Sequence, residues 1–156
     1  MRRSINVLCL SATALVLVVL LPAGVIAQQK SLKEQIQGPW SFVSCNDTNA
    51  KGEKTFRCAN NPRGILILAG NGNYANTVIT SGRKDAEAPG VEANFGTWSV
   101  NEADKTLTRH RVGARDPAAE GIDFKANINL SLSGEEMRIT GDAGGVHVDS
   151  TYRRFK

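Results

Sequence analysis

The feature that most constrains this chain is a strict alternation of apolar and polar residues from Ile122 to Leu132. Successive side chains of a β-strand point to opposite faces, so a period of two predicts a strand with one buried and one solvated face. At about 3.3 Å per residue this strand would span on the order of 35 Å, longer than most strands. A curved sheet, in a barrel or a sandwich, would cover such a face. An edge strand of an α+β domain is the alternative, but the rest of the chain is rich in strand patterns and has almost no helix.

The amino terminus has the pattern of a secretory signal peptide. Arg2 and Arg3 precede an apolar run over residues 5–21, and Pro22 and the small residue Ala27 follow it. We expect cleavage after Ala27, which makes residues 1–27 the signal peptide and the protein secreted or periplasmic. The alternative is an uncleaved anchor, although the apolar run is marginal for a full span and ends at a proline. After cleavage we expect no stable membrane insertion.

Residues 28–156 have the length of a single domain. Loss of Arg2 and Arg3 with the signal peptide lowers the formal charge from +4 to +2. The remaining basic residues are mostly scattered, and the few aromatic residues do not alternate with them as a stacking surface for bases would require. We therefore do not expect nucleic acid as a partner.

Two cysteines, Cys45 and Cys58, remain once Cys9 is removed with the signal peptide. In an exported chain an even pair predicts a disulfide bond. It would close a loop of about thirteen residues and contribute roughly 3 kcal/mol to stability. Metal binding is the alternative, but no histidine lies nearby in the sequence and there is no second cysteine pair, so we expect no metal.

A short helix is predicted over residues 28–37, where Ser31 and Glu34 have capping-box spacing. The turn Asn71-Gly72-Asn73 is the strongest local hairpin signal. Strand patterns occupy residues 38–45, 56–58, 63–68, 74–80, 93–100, 106–112, 122–132, 137–140 and 146–155. The predicted fold is therefore all-β: an antiparallel up-and-down barrel of about eight strands, with a short N-terminal helix resting on one end.

Five blocks of residues, in order along almost the whole of residues 28–156, carry a resemblance to a known family. They are Ser31-Leu32-Lys33-Glu34-Gln35 with Gly38-x-Trp40, Asn61-Pro62-Arg63-Gly64-Ile65-Leu66-Ile67, Asn71-Gly72-x-Tyr74, Phe95-Gly96-Thr97-Trp98-Ser99-Val100-Asn101 with Asp104-Lys105-Thr106-Leu107-Thr108-x-His110, and Tyr152-Arg153-Arg154. In these blocks the chain resembles the bacterial lipocalin-like domain proteins. The resemblance implies a lipocalin-like (calycin-type) barrel.

In lipocalins the tryptophan of the Gly-x-Trp motif packs near an arginine of the last strand and closes one end of the barrel. The resemblance implies this structural role for Trp40 and Arg154, and a guanidinium over an indole face is favourable by about 1–2 kcal/mol when desolvated. The chain departs from the family at Pro39, which lies within the motif, and in the loop over residues 81–90, which is short for the family.

Only two histidines are available for chemistry. On strand parity we expect His110, Thr106 and Thr108 to point inward, because Arg109 and Arg111 would then be solvated. His147 is expected to face solvent. An inward His110 could hydrogen-bond a ligand, and a satisfied structural histidine is the alternative.

The sequence contains no phosphate-binding glycine loop, no Gly-x-Ser-x-Gly elbow and no metal-ligand spacing. An enzyme is therefore not favoured, although a barrel isomerase or cyclase remains a lesser alternative. No catalytic residue and no cofactor is predicted.

The sequence predicts an exported barrel that binds a small apolar or amphipathic molecule in its interior. The residues expected to line that interior are Phe42, Trp98, His110, Phe124, Ile128, Met137 and Val148. The alternative function is that of a filled barrel acting through its surface, such as a periplasmic protease inhibitor. A solid interior would favour this alternative.

Overall fold

A computed structural model describes residues 30–58, 61–81 and 90–156, so the predicted signal peptide lies outside the described residues. Within these residues one short α-helix is followed by nine strands. The helix is α1 (Leu32–Ile36), and the strands are β1 (Gly38–Cys45), β2 (Thr48–Asn49), β3 (Arg63–Leu68), β4 (Asn73–Ile79), β5 (Val91–Asn101), β6 (Thr106–Ala114), β7 (Asp123–Leu130), β8 (Glu136–Ala143) and β9 (Val146–Arg154).

The strands form a closed antiparallel barrel. From β3 to β9 each strand pairs with the next in the chain, β1 pairs with β3, and β1 also pairs with β9. This last ladder closes the cylinder at eight strands, which removes the free edges of the sheet. The two-residue β2 pairs with the first two residues of β9. The predicted all-β, up-and-down barrel is confirmed.

Helix α1 covers one end of the barrel, which we call the closed end. Ser31 and Glu34 form the predicted capping box, and Glu102 of the β5–β6 turn accepts hydrogen bonds from the backbone N–H groups of Leu32 and Lys33 at 2.8 and 3.0 Å. These carboxylates satisfy amides that a helix start leaves unpaired. Ile36, the last residue of the helix, is completely buried. A five-residue helix is therefore held by its caps and by the apolar surface under it.

Trp40 and Arg154 lie together at this end of the barrel. They lie directly opposite each other in the β1–β9 ladder, and the Trp40 ring is fully buried. The indole N–H donates to the Ile36 carbonyl at 2.7 Å, while Arg154 donates to the carbonyls of Gln35 and Gln37. The helix, the first strand and the last strand are thus joined at one point.

The long alternating strand has the predicted two faces. Within β7, Phe124, Ala126 and Ile128 are buried, and the polar residues between them are exposed. The strand is shorter than predicted because Ile122 and Leu132 lie beyond its ends and are exposed. The predicted strand over 56–58 is wrong: these residues form a single 3-10 turn. Most of the loop over 81–90 lies outside the described residues.

Cys45 and Cys58 form the predicted disulfide, with their Cα atoms 5.3 Å apart. The bond fixes the 3-10 turn to the end of β1, at the end of the barrel opposite the helix. Structural disulfides persist in oxidising compartments, so the bond indicates an environment other than the cytosol. Within the described residues, no helix is both long and apolar enough to span a bilayer.

Candidate functional site

A cavity of about 1060 Å³ opens at the end of the barrel opposite the helix, which we call the open end. Its wall is made by the parts of β5, β6, β8 and β9 nearest the open end, by the β6–β7 loop and by the disulfide-linked β1–β3 loop. Binding pockets for small molecules commonly enclose about 300–1,000 Å³. The cavity therefore has the size that a small-molecule site requires.

The lower part of the barrel is filled with apolar side chains. Five of the residues predicted to line the interior, Phe42, Trp98, Phe124, Ile128 and Met137, do point inward, but they are packed in this core. Val148 also points inward, and it alone among the seven predicted residues lines the cavity. Contact of any of these side chains with a ligand stays a prediction.

The prediction that His110 points into the barrel is wrong. Its side chain is half exposed on the outer face, where Nδ1 lies 2.7 Å from the Asp123 carboxylate. His147 is likewise on the outside, with Nδ1 2.9 Å from Asp142. Thr106 is buried and Thr108 is half-buried, but Leu107 and Arg109 of the same strand are buried inside the barrel.

The prediction failed because it assumed that Arg109 must face solvent, whereas aromatic side chains stabilise Arg109 inside the barrel. Its guanidinium carbon lies 4.6 Å from the centre of the Phe124 ring and 5.4 Å from that of Tyr74, so aromatic faces replace part of its hydration. The pairing of β6 with its neighbouring strands would have indicated that Arg109 points inward. Arg109 is paired with Trp98 on one side and Phe124 on the other, and directly opposed residues share a face of the sheet.

The floor of the cavity contains a buried ion-pair network that the sequence did not single out. Arg57, carried by the disulfide-linked turn, lies 2.5 Å from a carboxylate oxygen of Asp47 and 2.6 Å from one of Glu92. Burial lowers the pKa of Arg57, but Glu92, Tyr152 and Asp47 together raise it above its usual range. Arg57 is therefore a charged part of the floor.

Asp47 connects this network to the last strand. Besides Arg57 it accepts the backbone N–H of Asp149 at 2.8 Å and the Ser150 hydroxyl at 3.1 Å, and it is completely buried. A buried carboxylate without partners would be strongly unfavourable, and three donors satisfy this one. Asp47 thus holds the β1–β3 loop against β9.

Two buried amides surround the other carboxylate of the floor. Asn76 and Asn94 donate to Oε1 of Glu92 at 3.4 and 3.0 Å, on adjacent strands β4 and β5. Their own side-chain oxygens have no hydrogen-bond partner among the described residues. Glu92 is thereby engaged on both oxygens.

Arg109 and Tyr74 form a second polar pair, adjoining the floor. Arg109 is 5% exposed, and its Nε and Nη1 atoms have no hydrogen-bond partner in the described part of the chain. Burial lowers the pKa of Arg109. Burial also raises the pKa of the Tyr74 phenol, and the nearby Arg109 and Arg111 oppose this rise only in part. An arginine with a lowered pKa is still charged at neutral pH.

Apolar side chains form part of the cavity lining. Small and branched side chains line the cavity on several elements, namely Val91, Ala114, Ala119, Ile122, Ala143 and Val146. The charged side chains of Glu53, Lys54, Arg115 and Asp116 also line the cavity, so its lining is mixed. Such a lining suits a molecule that has both polar and apolar parts.

One group of possible metal ligands occurs among the described residues: Cys45, Asp47 and Cys58 lie within 4.8 Å of one another. Two of the three are joined in the disulfide, so in this state the group offers a single carboxylate already bound to Arg57. These residues do not fit a metal ion while the disulfide is intact.

No known protein-family profile matches the chain. Over 125 residues it is 25% identical to a protein of Trypanosoma brucei brucei named Terminal uridylyltransferase 1. The match covers 79% of this chain but 12% of that protein. This similarity is too low, and covers too little of the relative, to assign a family or an activity.

Proposed function

We propose that the protein is an exported, lipocalin-like barrel that binds a small amphipathic molecule in the cavity at its open end. The observation that carries the proposal is a cavity of about 1060 Å³ lined by both apolar and polar side chains. Barrels of eight strands are just wide enough to be filled by their own side chains or to hold one small ligand. Here the closed end is filled and the open end is not.

The presence of a cavity in one half of the barrel also supports ligand binding over a role confined to the barrel surface. A protease inhibitor or another surface-acting protein needs no cavity, and a core packed along its full length would serve it better. Several buried arginine and asparagine atoms have no hydrogen-bond partner among the described residues, which lowers stability and has no purpose in a purely structural interior. They are expected in a binding site that a ligand completes.

Export is part of the proposal. The signal-peptide pattern over residues 1–27 and the Cys45–Cys58 disulfide both support a secreted or periplasmic location. The expected partner is therefore a small molecule of that compartment.

Native mass spectrometry of the protein purified from its own compartment tests this function. We expect a population whose mass exceeds that of the chain by one small molecule, released when the protein is denatured. Val146→Phe fills part of the cavity and should lack this population, whereas Val43→Phe, on a residue that is 41% exposed, should retain it. Equal retention by both folded variants would place the molecule outside the cavity and contradict the proposal.

A further inference from the structure

We infer that one side of the outer barrel wall is an interface through which two copies of this chain associate. This interface is the apolar face, which we define by five exposed residues on strands β3 to β6: Ile67, Ala75, Ile79, Phe95 and Val112. The inference concerns the outside of the barrel and goes beyond the ligand site proposed for its interior.

The two halves of the outer wall differ in polarity. Along β7, β8 and β9 the residues that alternate with the buried ones are polar or charged, as at Lys125 and Arg138. On the other half the side chains of Ile79, Phe95 and Val112 are 47%, 56% and 56% exposed. Single exposed apolar residues are normal on a protein surface, but these are gathered on one side of the barrel.

The apolar side chains also adjoin one another across the sheet. Ile67 lies directly opposite Ala75, and Ala75 directly opposite Phe95, so the three share one outward row. The four strands span about 14 Å, and Ala75 and Ile79 are about 13 Å apart along β4. With its side chains the apolar face therefore covers on the order of 400 Å², a size at which a surface patch is often functional.

Phe95 has the properties of an interface anchor. It lies opposite Gly113 of β6, and a Cβ atom at position 113 would lie 2.5 Å from two carbons of the Phe95 ring. The glycine thus lets the ring lie across the neighbouring strand while more than half of it stays exposed. A ring held in place before association loses little conformational freedom, and aromatic residues carry much of the binding energy at interfaces.

A shallow groove beside Phe95 has room for the same ring of a second copy. The groove encloses about 540 Å³, and small side chains, those of Ala75, Thr77 and Ala93, form part of its lining. The surface therefore offers both a projecting ring and a hollow next to it. Two-fold symmetry brings such a surface against itself, so that each ring enters the hollow of the other copy.

The charges at the edge of the groove also fit a second copy. Arg115 and Glu120 line the groove and are exposed, and among the described residues neither forms an ion pair. Each copy thus supplies one cation and one anion, which allows opposite charges to pair across the interface. A surface that docks on an anionic bilayer would instead carry basic residues around its apolar part.

The area of the apolar face predicts a weak dimer. Stable interfaces bury about 800 Å² of each partner, roughly twice the area of this face. The closed barrel offers no free strand edge to extend the contact by strand addition. We therefore expect a reversible dimer that forms at high protein concentration and separates on dilution.

Sedimentation equilibrium of the purified protein over a range of concentrations tests the inference. We expect the average mass of wild type to rise with concentration from that of one chain toward that of two. Phe95→Asp and Val112→Asp should each weaken the association at least about tenfold, because an anchor is lost and like charges meet. Leu132→Asp is the matched control, since Leu132 is fully exposed in the β7–β8 turn, outside the apolar face, and should leave the association unchanged.

Amide NMR of wild type during dilution locates the interface without any variant. We expect concentration-dependent shifts at Ala75, Phe95 and Val112, and none at Lys125 and Arg138 of the charged half. These shifts decide the matter if Phe95→Asp and Val112→Asp fail to fold.

A wild-type protein that keeps the mass of one chain at every concentration would overturn the inference. Dilution shifts confined to β7, β8 and β9 would also overturn it, because the copies would then meet through the charged half. Vesicles of phosphatidylcholine and phosphatidylglycerol test the competing occupant. Binding of monomeric wild type to them, abolished by Phe95→Asp and kept by Leu132→Asp, would assign the apolar face to a membrane surface instead.

Discussion

The Arg154 guanidinium carbon lies 4.0 Å from the centre of the Trp40 ring, and the two residues face each other across the ladder that closes the barrel. Arg154 also donates to the carbonyl of Gly134 in the β7–β8 turn. One arginine therefore covers the buried indole and ties the helix, the closing ladder and a neighbouring turn together. Such an arrangement makes the closed end a fixed base for the cavity at the opposite end.

We expect Trp40→Ala and Arg154→Ala each to lower the free energy of unfolding, and their effects to be less than additive. Side chains in contact couple by roughly 0.5–3 kcal/mol in a double-mutant cycle. The measurement is denaturant unfolding of the two single variants and the double variant. Arg153→Ala serves as the control, because Arg153 points outward and should show no coupling to Trp40→Ala. Additive effects of Trp40→Ala and Arg154→Ala would contradict the contact.

The Cys45–Cys58 bond gives a second prediction. The folded protein should show no free thiol until it is reduced, and the Cys45→Ser/Cys58→Ser double variant should be less stable by about 3 kcal/mol, from the loss of a loop constraint. Thiol titration and denaturant unfolding measure the two quantities. Detection of two reactive thiols in the unreduced, folded protein would show that the bond does not form.

Asp47 gives a third prediction. Asp47→Ala leaves Arg57 with Glu92 as its remaining ion-pair partner and removes the acceptor of Ser150, so we expect a loss of about 3 kcal/mol in unfolding free energy. Adding Arg57→Met to that variant should cost less than the same change in wild type, since the pair is already broken. Thermal or denaturant unfolding of the four proteins measures this. A full additional loss in the double variant would mean that the two side chains act independently.

Much of the fold could be predicted from local pattern. The alternation over 122–132 predicted β7 and its buried face, although not its length; the Ser31–Glu34 spacing predicted the helix start, and the Asn71-Gly72-Asn73 turn predicted a hairpin. These features depend on residues close in the chain. The disulfide was also predictable, because residues 28–156 contain only two cysteines.

The polar floor was not predicted, because its members come from distant parts of the chain. Arg57 meets Glu92 only when the disulfide-linked turn and the start of β5 reach the same end of the barrel. For β6 the prediction assumed that every arginine prefers solvent. That preference describes an isolated residue and ignores the side chains opposite it on the neighbouring strands. Cross-strand partners decided the outcome instead: Arg109 lies between Trp98 and Phe124, both of which face inward.

The most direct test of the central claim is methyl NMR during titration with decanoate. We expect the largest shifts at Val146, Val148 and Ile122, which line the cavity. Leu68 and Leu107 in the filled closed end should change little, as should the exposed Ile67 and Ile79 of the outer wall. A response confined to the outer-wall methyl groups would show that the ligand binds the surface. That result, or no response at all, would contradict a ligand site inside the open end of the barrel.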